Sequence, residues 1–167
     1  MRPLKSSQVV EILGITQRML DRWVGSGVVP TTSGTALGTG LNRLYDFKGL
    51  FVAGVVSRLP TGDMALEEVW GVAAYVSDFA VEYDEPNDEL GFLVVYADGQ
   101  IAHVERGHLE AAFIDLNKDA RSATVMDLHD VADVLRANVY DTLVLGMQPK
   151  GRRRGSRYRR QRVETGG

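Results

Sequence analysis

The first sixty residues alternate short apolar-periodic stretches with glycine-containing breaks. Val9, Val10, Ile12 and Leu13 predict a short helix that ends at Gly14, a residue that readily adopts the left-handed conformation closing a helix. Thr16 follows, and its hydroxyl can cap a second helix by accepting a bond from an unpaired backbone amide. The second helix then has a predicted buried face made of Met19, Leu20 and Trp23.

The opposite face of this second helix carries the first candidate functional residues. They are Gln17, Arg18, Asp21 and Arg22. Two short helices joined by a tight turn, the second with an exposed polar face, describe a helix-turn-helix.

The residues that follow form an ordered series of short motifs. In chain order they are Gly27-Val28-Val29-Pro30, a polar Gly/Thr/Ser stretch, Asn42-Arg43-Leu44-Tyr45-Asp46, the apolar-periodic Phe47 to Leu59, and Gly62-Asp63-Met64-Ala65-Leu66-Glu67-Glu68-Val69-Trp70. With the helix-turn-helix before it, this series resembles the MerR family of winged helix-turn-helix DNA-binding proteins over about residues 6 to 75. The resemblance implies a recognition helix at residues 16–24 that enters the major groove of double-stranded DNA.

The resemblance also assigns roles within the recognition helix. Arg18 and Gln17 are expected at base edges, because arginine pairs with guanine and glutamine with adenine. Arg22 is expected to contact phosphate. Thr16 is chiefly a cap that the resemblance places near phosphate. Asp21 stands where the family often has arginine, which weakens the electrostatic case at that position.

The wing is predicted as a hairpin. Val28-Val29 is the expected first strand, Leu41 to Tyr45 the return strand, and Thr31 to Gly40 a long tip that lacks lysine and arginine. Arg43 matches the wing arginine, which implies contact with the DNA backbone or minor groove. Tyr45 is expected to pack the wing on the helices, with its hydroxyl available to a phosphate. The predicted DNA-binding set is Thr16, Gln17, Arg18, Arg22, Arg43, Tyr45 and Lys48.

Two further helices are predicted after the wing. Asp46 is placed to cap the first, and Pro60-Thr61-Gly62 breaks it. Asp63 can begin the second, whose expected inward residues are Leu66, Val69, Trp70, Ala73 and either Val76 or Ser77. Trp23 and Trp70 are both interpreted as core. No heptad run follows, although the family usually pairs two chains through a long helix at this point.

From Phe92 the pattern changes from helical to alternating. Two apolar stretches flank Asp98-Gly99, which predicts a β-hairpin because this dipeptide favours a two-residue turn. A short helix at residues 107–116, a third strand at 123–126 and a helix capped by Asp127 are expected next. This segment contains no catalytic motif that we recognise.

Charge is strongly segregated along the chain. Residues 1–58 carry seven basic and three acidic side chains, a net charge of +4. Residues 59–149 carry four basic and eighteen acidic side chains, a net charge of −14. Residues 150–167 carry eight basic side chains and one acidic side chain, a net charge of +7. Because this segment is poor in apolar residues, it is expected to be disordered. A basic head and tail suit a polyanion. The tail candidates for DNA backbone are Lys150, Arg152, Arg153, Arg154, Arg157, Arg159, Arg160 and Arg162.

These observations predict an α+β fold in three parts. Residues 1–79 form a MerR-like winged helix-turn-helix, 80–148 a small acidic α/β domain of about three strands and two helices, and 149–167 a basic flexible tail. The middle part is interpreted as a module for homodimerisation, for a protein partner or for a small-molecule effector. The acidic stretch Glu82 to Glu89 is expected to be a solvated loop, with retention of the tail off DNA as the alternative.

Several classes are excluded by the composition. Without cysteine the chain has no disulfides, no cysteine-ligated zinc and no thiol catalysis, and its three histidines show no metal-ligand spacing. We expect no cofactor, no metal and no enzyme activity, since phosphate-loop, nucleophile-elbow and zinc-protease motifs are missing. No apolar run is long enough for a membrane span or signal peptide, so a cytoplasmic, nucleoid-associated location is expected.

The leading functional hypothesis is a sequence-specific transcriptional regulator, acting as a repressor rather than as an activator that twists its promoter. The alternative is an architectural or excisionase-like accessory factor of recombination or nucleoid organisation. A third hypothesis is an adaptor whose acidic domain binds another protein.

Overall fold

The computed structural model describes residues 1–32, 43–60, 64–79, 81–85, 90–96, 99–108 and 123–144. The helices in these ranges are α1 (Ser6–Leu13), α2 (Gln17–Gly25), α3 (Phe47–Val56), α4 (Leu66–Ser77) and α5 (Leu128–Leu143). The strands are β1 (Leu4–Lys5), β2 (Leu44–Tyr45), β3 (Phe92–Tyr96), β4 (Ile101–Val104) and β5 (Ala123–Asp127). The predicted α+β class is therefore confirmed.

The turn between α1 and α2 follows the predicted capping chemistry. Gly14 closes α1 with a φ of 63° in the left-handed region, and its amide donates to the carbonyl of Glu11 at 3.3 Å. The hydroxyl of Thr16 accepts a hydrogen bond from the amide of Met19 at 3.2 Å. Both caps satisfy backbone groups that a helix end leaves without intrahelical partners, and they fix the direction in which α2 leaves α1.

The buried face of α2 differs from the prediction by one residue. Leu20, Trp23 and Val24 are buried, whereas Met19 is 39% exposed. Leu20, Trp23 and Val24 are related by steps of three and four residues, so they share one stripe of the helix. Met19 lies 100° away from Leu20 around the helix axis and was wrongly assigned to that stripe.

The strand β2 pairs with β1 and not with Val28-Val29, so the predicted wing hairpin is wrong. The pairing is antiparallel, with Leu4 opposite Tyr45, and it anchors the amino-terminal residues Leu4 and Lys5. Val28 and Val29 are buried but lie outside any strand, because both of their amides donate to the carbonyl of Trp23 at the end of α2. These amides are therefore not free to pair with β2. The predicted tip from residue 33 onward, and residues 41–42 of the predicted return strand, lie outside the described ranges.

α3 is the central helix of the fold. Asp46 caps it, its carboxylate accepting a hydrogen bond from the Gly49 amide at 2.7 Å, and every residue of α3 except Lys48 is buried. α1, α4 and α5 all pack against it. Gly54 permits the close approach of α5, since a Cβ at this position would lie 2.7 Å from a methyl group of Leu135. A helix buried on all sides is the core on which the surface helices are arranged.

α4 begins later than predicted and turns a different face inward. Its N-cap is Ala65, whose amide donates to the Glu68 carboxylate at 2.8 Å, and the predicted start at Asp63 lies outside the described residues. The predicted core positions Leu66 and Trp70 are 39% and 53% exposed, so both assignments are wrong. The buried stripe consists of Val69, Val72, Ala73 and Val76. Trp70 lies 100° from Val69 around the axis and falls outside that stripe.

The carboxy-terminal strands form an antiparallel sheet in the order β4-β3-β5. Gly99 has a φ of 82°, and the Tyr96 amide bonds to the Gln100 carbonyl at 2.9 Å, which confirms the predicted hairpin. β5 runs directly into α5, where the Asp127 carboxylate accepts from the amide of His129 at 3.0 Å. The predicted helix at 107–116 lies largely outside the described residues, which show a single 3-10 turn at Arg106–His108.

The last helix packs on the amino-terminal helices. α5 lies against α1 and α3, the Asn138 side chain donates to the carbonyl of Ile12 at 3.2 Å, and Leu135 belongs to the same hydrophobic cluster as Leu50. The core is thus shared between the two halves of the chain. The boundary after residue 79 stays a prediction.

Candidate nucleic-acid interface

The outward face of α2 presents two arginines on one side of the helix. Arg18 and Arg22 are both exposed, and no hydrogen bond or ion pair to another described residue holds either guanidinium. Four residues of helical rise separate them by about 6 Å along the axis. Each guanidinium keeps its five donors, in a planar fork that matches phosphate oxygens or a guanine edge.

Between these arginines, Asp21 joins the helix to the residue preceding β2. One carboxylate oxygen of Asp21, Oδ1, accepts a hydrogen bond from the Gln17 amide at 3.0 Å and another from the Arg43 guanidinium at 2.8 Å. The side chain of Arg43 is 22% exposed and that of Asp21 is 50% exposed. The structure therefore brings Gln17, Arg43 and Asp21 together in one surface cluster on the helix-turn-helix.

The other predicted contacts differ in accessibility. Thr16 is exposed, with its hydroxyl acting as the helix cap. Lys48 is exposed in the first turn of α3. Tyr45 is 0% exposed, and its hydroxyl lies 3.4 Å from the Ser6 hydroxyl. Tyr45 packs the wing strand on the helices as expected, but its hydroxyl is turned into the fold and is not presented to a phosphate at the surface.

Sequence reasoning missed Lys5 as a candidate. β1 places it opposite Leu44, the residue directly after Arg43, and its side chain is exposed. The sequence offers only a weak signal for this residue, since the apolar Leu4 directly before the basic Lys5 is the only sign of a strand with one buried and one exposed side chain. The eight tail candidates, from Lys150 to Arg162, lie outside the described residues.

The described part of the chain shows neither a metal-binding cluster nor a membrane-spanning helix. There, no group of three or more histidine, aspartate or glutamate side chains is arranged to hold a metal ion. None of its helices combines the length and the apolar character needed to span a bilayer.

Comparison with known proteins found relatives that match about half of the chain. No family model matches the chain. Over 89 residues, or 53% of its length, the chain is 29% identical to proteins described as uncharacterised HTH-type transcriptional regulators from Mycobacterium bovis and from two strains of Mycobacterium tuberculosis. The match spans 37% of the length of each of these relatives. Over about half of its length the chain is thus similar to proteins described as HTH-type transcriptional regulators.

Proposed function

We propose that the chain is a sequence-specific double-stranded DNA-binding transcriptional regulator of the MerR-like winged helix-turn-helix type. α2 enters the major groove, where Arg18 and Gln17 contact base edges and Arg22 contacts phosphate. Arg43 and Lys48 hold the flanking backbone, and the basic tail adds affinity that depends on salt. Tyr45 is left out of this contact set because it is buried.

A single observation carries the proposal. The hydroxyl of Thr16 caps α2, the apolar stripe of α2 is buried, and Arg18 and Arg22 lie on its exposed face without partners among the described residues. Two arginines held rigidly on a helix and left to solvent are arranged for an anionic partner with a groove. The similarity to proteins described as HTH-type transcriptional regulators supports the same conclusion.

Repression is proposed rather than promoter twisting. The buried face of α5 packs against α1 and α3 of its own chain. This helix is therefore not free to form an antiparallel coiled coil with a second chain. A homodimer is proposed through the carboxy-terminal part, where Val134 and Tyr140 of α5 and Val144 at its C-cap are exposed. A regulator of this kind covers its binding site and competes with other proteins for it.

Selection of bound duplexes from a random pool tests the function. We expect the wild-type chain to recover one sequence, with inverted symmetry if two copies bind. Arg18→Ala should reduce discrimination against a changed base pair at one position by about 1–3 kcal/mol. Arg106→Ala is the charge control, because it removes the same charge from an arginine of the carboxy-terminal segment that is 55% exposed and pairs with Asp127. This variant should leave the sequence preference unchanged.

Removal of residues 150–167 separates affinity from specificity. The shortened chain should bind every duplex more weakly and with a shallower salt dependence, since fewer phosphates are neutralised, while its sequence preference stays the same. Equal losses on all sequences for both Arg18→Ala and the shortened chain would contradict the proposed readout. Many weak sites with measurable bending would instead indicate the architectural alternative.

A further inference from the structure

Asp21 is the one acidic residue on the exposed face of α2. An anionic side chain on a surface that meets phosphate opposes binding, so its presence there calls for a compensating role. Its Oδ1 atom accepts from the side chains of Gln17 at 3.0 Å and Arg43 at 2.8 Å. The two donors come from different elements, one from α2 and one from the residue leading into β2.

We propose that Asp21 is a positioning residue that sets sequence specificity by orienting Gln17 and Arg43 toward DNA. This inference rests on the proposed function. A free glutamine amide or a free guanidinium samples many rotamers, and ordering each on binding costs about 0.5–1.5 kcal/mol. The shared carboxylate holds both side chains in one arrangement before DNA arrives, so the correct base pair is met by donors already in place.

The geometry favours this role over a purely structural one. Asp21 is half exposed, and an ion pair at such a site contributes about 0–1 kcal/mol to folding. The fold therefore gains little from the Asp21–Arg43 pair. Its main effect is on the direction of two side chains that belong to the proposed contact surface.

The test compares Asp21→Asn with Asp21→Ala, using the duplex recovered by the wild-type chain and a scrambled duplex of equal length. Both variants remove the same negative charge, so both should bind the scrambled duplex more tightly and to a similar extent. The asparagine oxygen has two lone pairs and can still accept from Gln17 and Arg43, whereas alanine cannot. The difference between the variants therefore reports orientation alone.

We expect Asp21→Asn to keep the ratio of specific to non-specific affinity within about threefold of wild type and Asp21→Ala to lower it by about tenfold. In the protein without DNA, the Gln17 side-chain amide resonance should move in Asp21→Ala and much less in Asp21→Asn. Both variants should melt within a few degrees of wild type, since the site is exposed.

The outcomes separate this inference from the proposed function. If the wild-type chain is selective but Asp21→Asn and Asp21→Ala have the same ratio of specific to non-specific affinity, the role of Asp21 is overturned. This holds whether both variants keep the wild-type ratio or both lose it, and the proposed function is left standing. A wild-type chain that recovers no common sequence overturns the proposed function and the role of Asp21 with it.

Discussion

Replacement of Arg136 by alanine should destabilise the fold more than any surface charge change. Arg136 lies on α5, and its guanidinium donates to the carbonyl oxygens of Glu82 at 2.9 Å, Tyr83 at 3.1 Å and Glu85 at 2.8 Å. It also lies 5.4 Å from the ring centroid of Phe47 at the start of α3. One side chain thus ties residues 82–85, the described part of the acidic stretch, to two helices through their backbone carbonyls. The side chains of Glu82, Asp84 and Glu85 are exposed, as expected for a solvated loop.

The expected magnitude follows from these contacts. A hydrogen bond to a charged group contributes about 1.5–3 kcal/mol when it is well buried, but Glu82 and Glu85 are exposed residues whose carbonyls water can reach. About 1 kcal/mol for each carbonyl, with a smaller cation–π contribution, gives a loss near 3 kcal/mol. With a slope of about 2 kcal/mol/M, the urea midpoint should fall by about 1.5 M.

Equilibrium urea unfolding followed by circular dichroism measures this loss, and two controls sharpen it. Asp133→Ala removes the carboxylate that pairs with Arg136 at a half-exposed site and should cost less than about 1 kcal/mol. Arg136→Lys keeps the charge but not the planar fork, so it should recover only part of the stability. A loss below about 1 kcal/mol for Arg136→Ala would refute the reasoning, because the carbonyl contacts would then contribute nothing beyond the surface ion pair.

Two further changes test backbone and capping arguments. Gly91→Ala should lower the free energy of unfolding by about 3 kcal/mol or more. Gly91 has a φ of 54°, and a Cβ at this position would meet the Val104 carbonyl oxygen. A change under about 1 kcal/mol in urea unfolding would contradict this expectation. Thr16→Ala should cost about 1 kcal/mol through the lost cap of α2, measured in the same way, while Thr16→Ser should be close to neutral; an equal loss in both would show that the hydroxyl is not the stabilising group.

Local chemistry accounts for most of what the sequence predicted correctly. The caps at Gly14, Thr16, Asp46 and Asp127 were all identified, because each joins groups only a few residues apart. At Thr16, Asp46 and Asp127 a side-chain oxygen accepts from a backbone amide, and at Gly14 the backbone itself turns into the left-handed region. The hairpin around Gly99 was identified for the same reason. In each case the stabilising contact lies within the stretch of sequence that encodes it.

Contacts between distant residues account for the errors. β1 and β2 are two residues long and forty residues apart, so neither shows an alternation from which the pairing could be read. Trp70 was assigned to the core on spacing, but a large residue at the margin of an apolar stripe is buried only if another element covers it. The carbonyl contacts of Arg136 reach more than fifty residues back along the chain.

In the candidate site, too, features set by local sequence were predicted and contacts between distant residues were not. Gln17, Arg18 and Arg22 were identified because helical periodicity places them opposite the apolar stripe of α2. The bridge from Asp21 to Arg43 crosses 22 positions and could not be inferred from either segment alone. Tyr45 was expected to offer its hydroxyl at the surface, and only the packing of β2 on α1 shows that it is enclosed.

The most direct test of the central claim is a titration of the isotope-labelled chain with the duplex that it selects, followed by backbone amide resonances. The account predicts that the largest changes fall on residues 16–22 of the α1–α2 turn and α2 and around Arg43, with few changes in β3, β4 and β5. Changes confined to the carboxy-terminal sheet, with residues 16–22 unaffected, would contradict it.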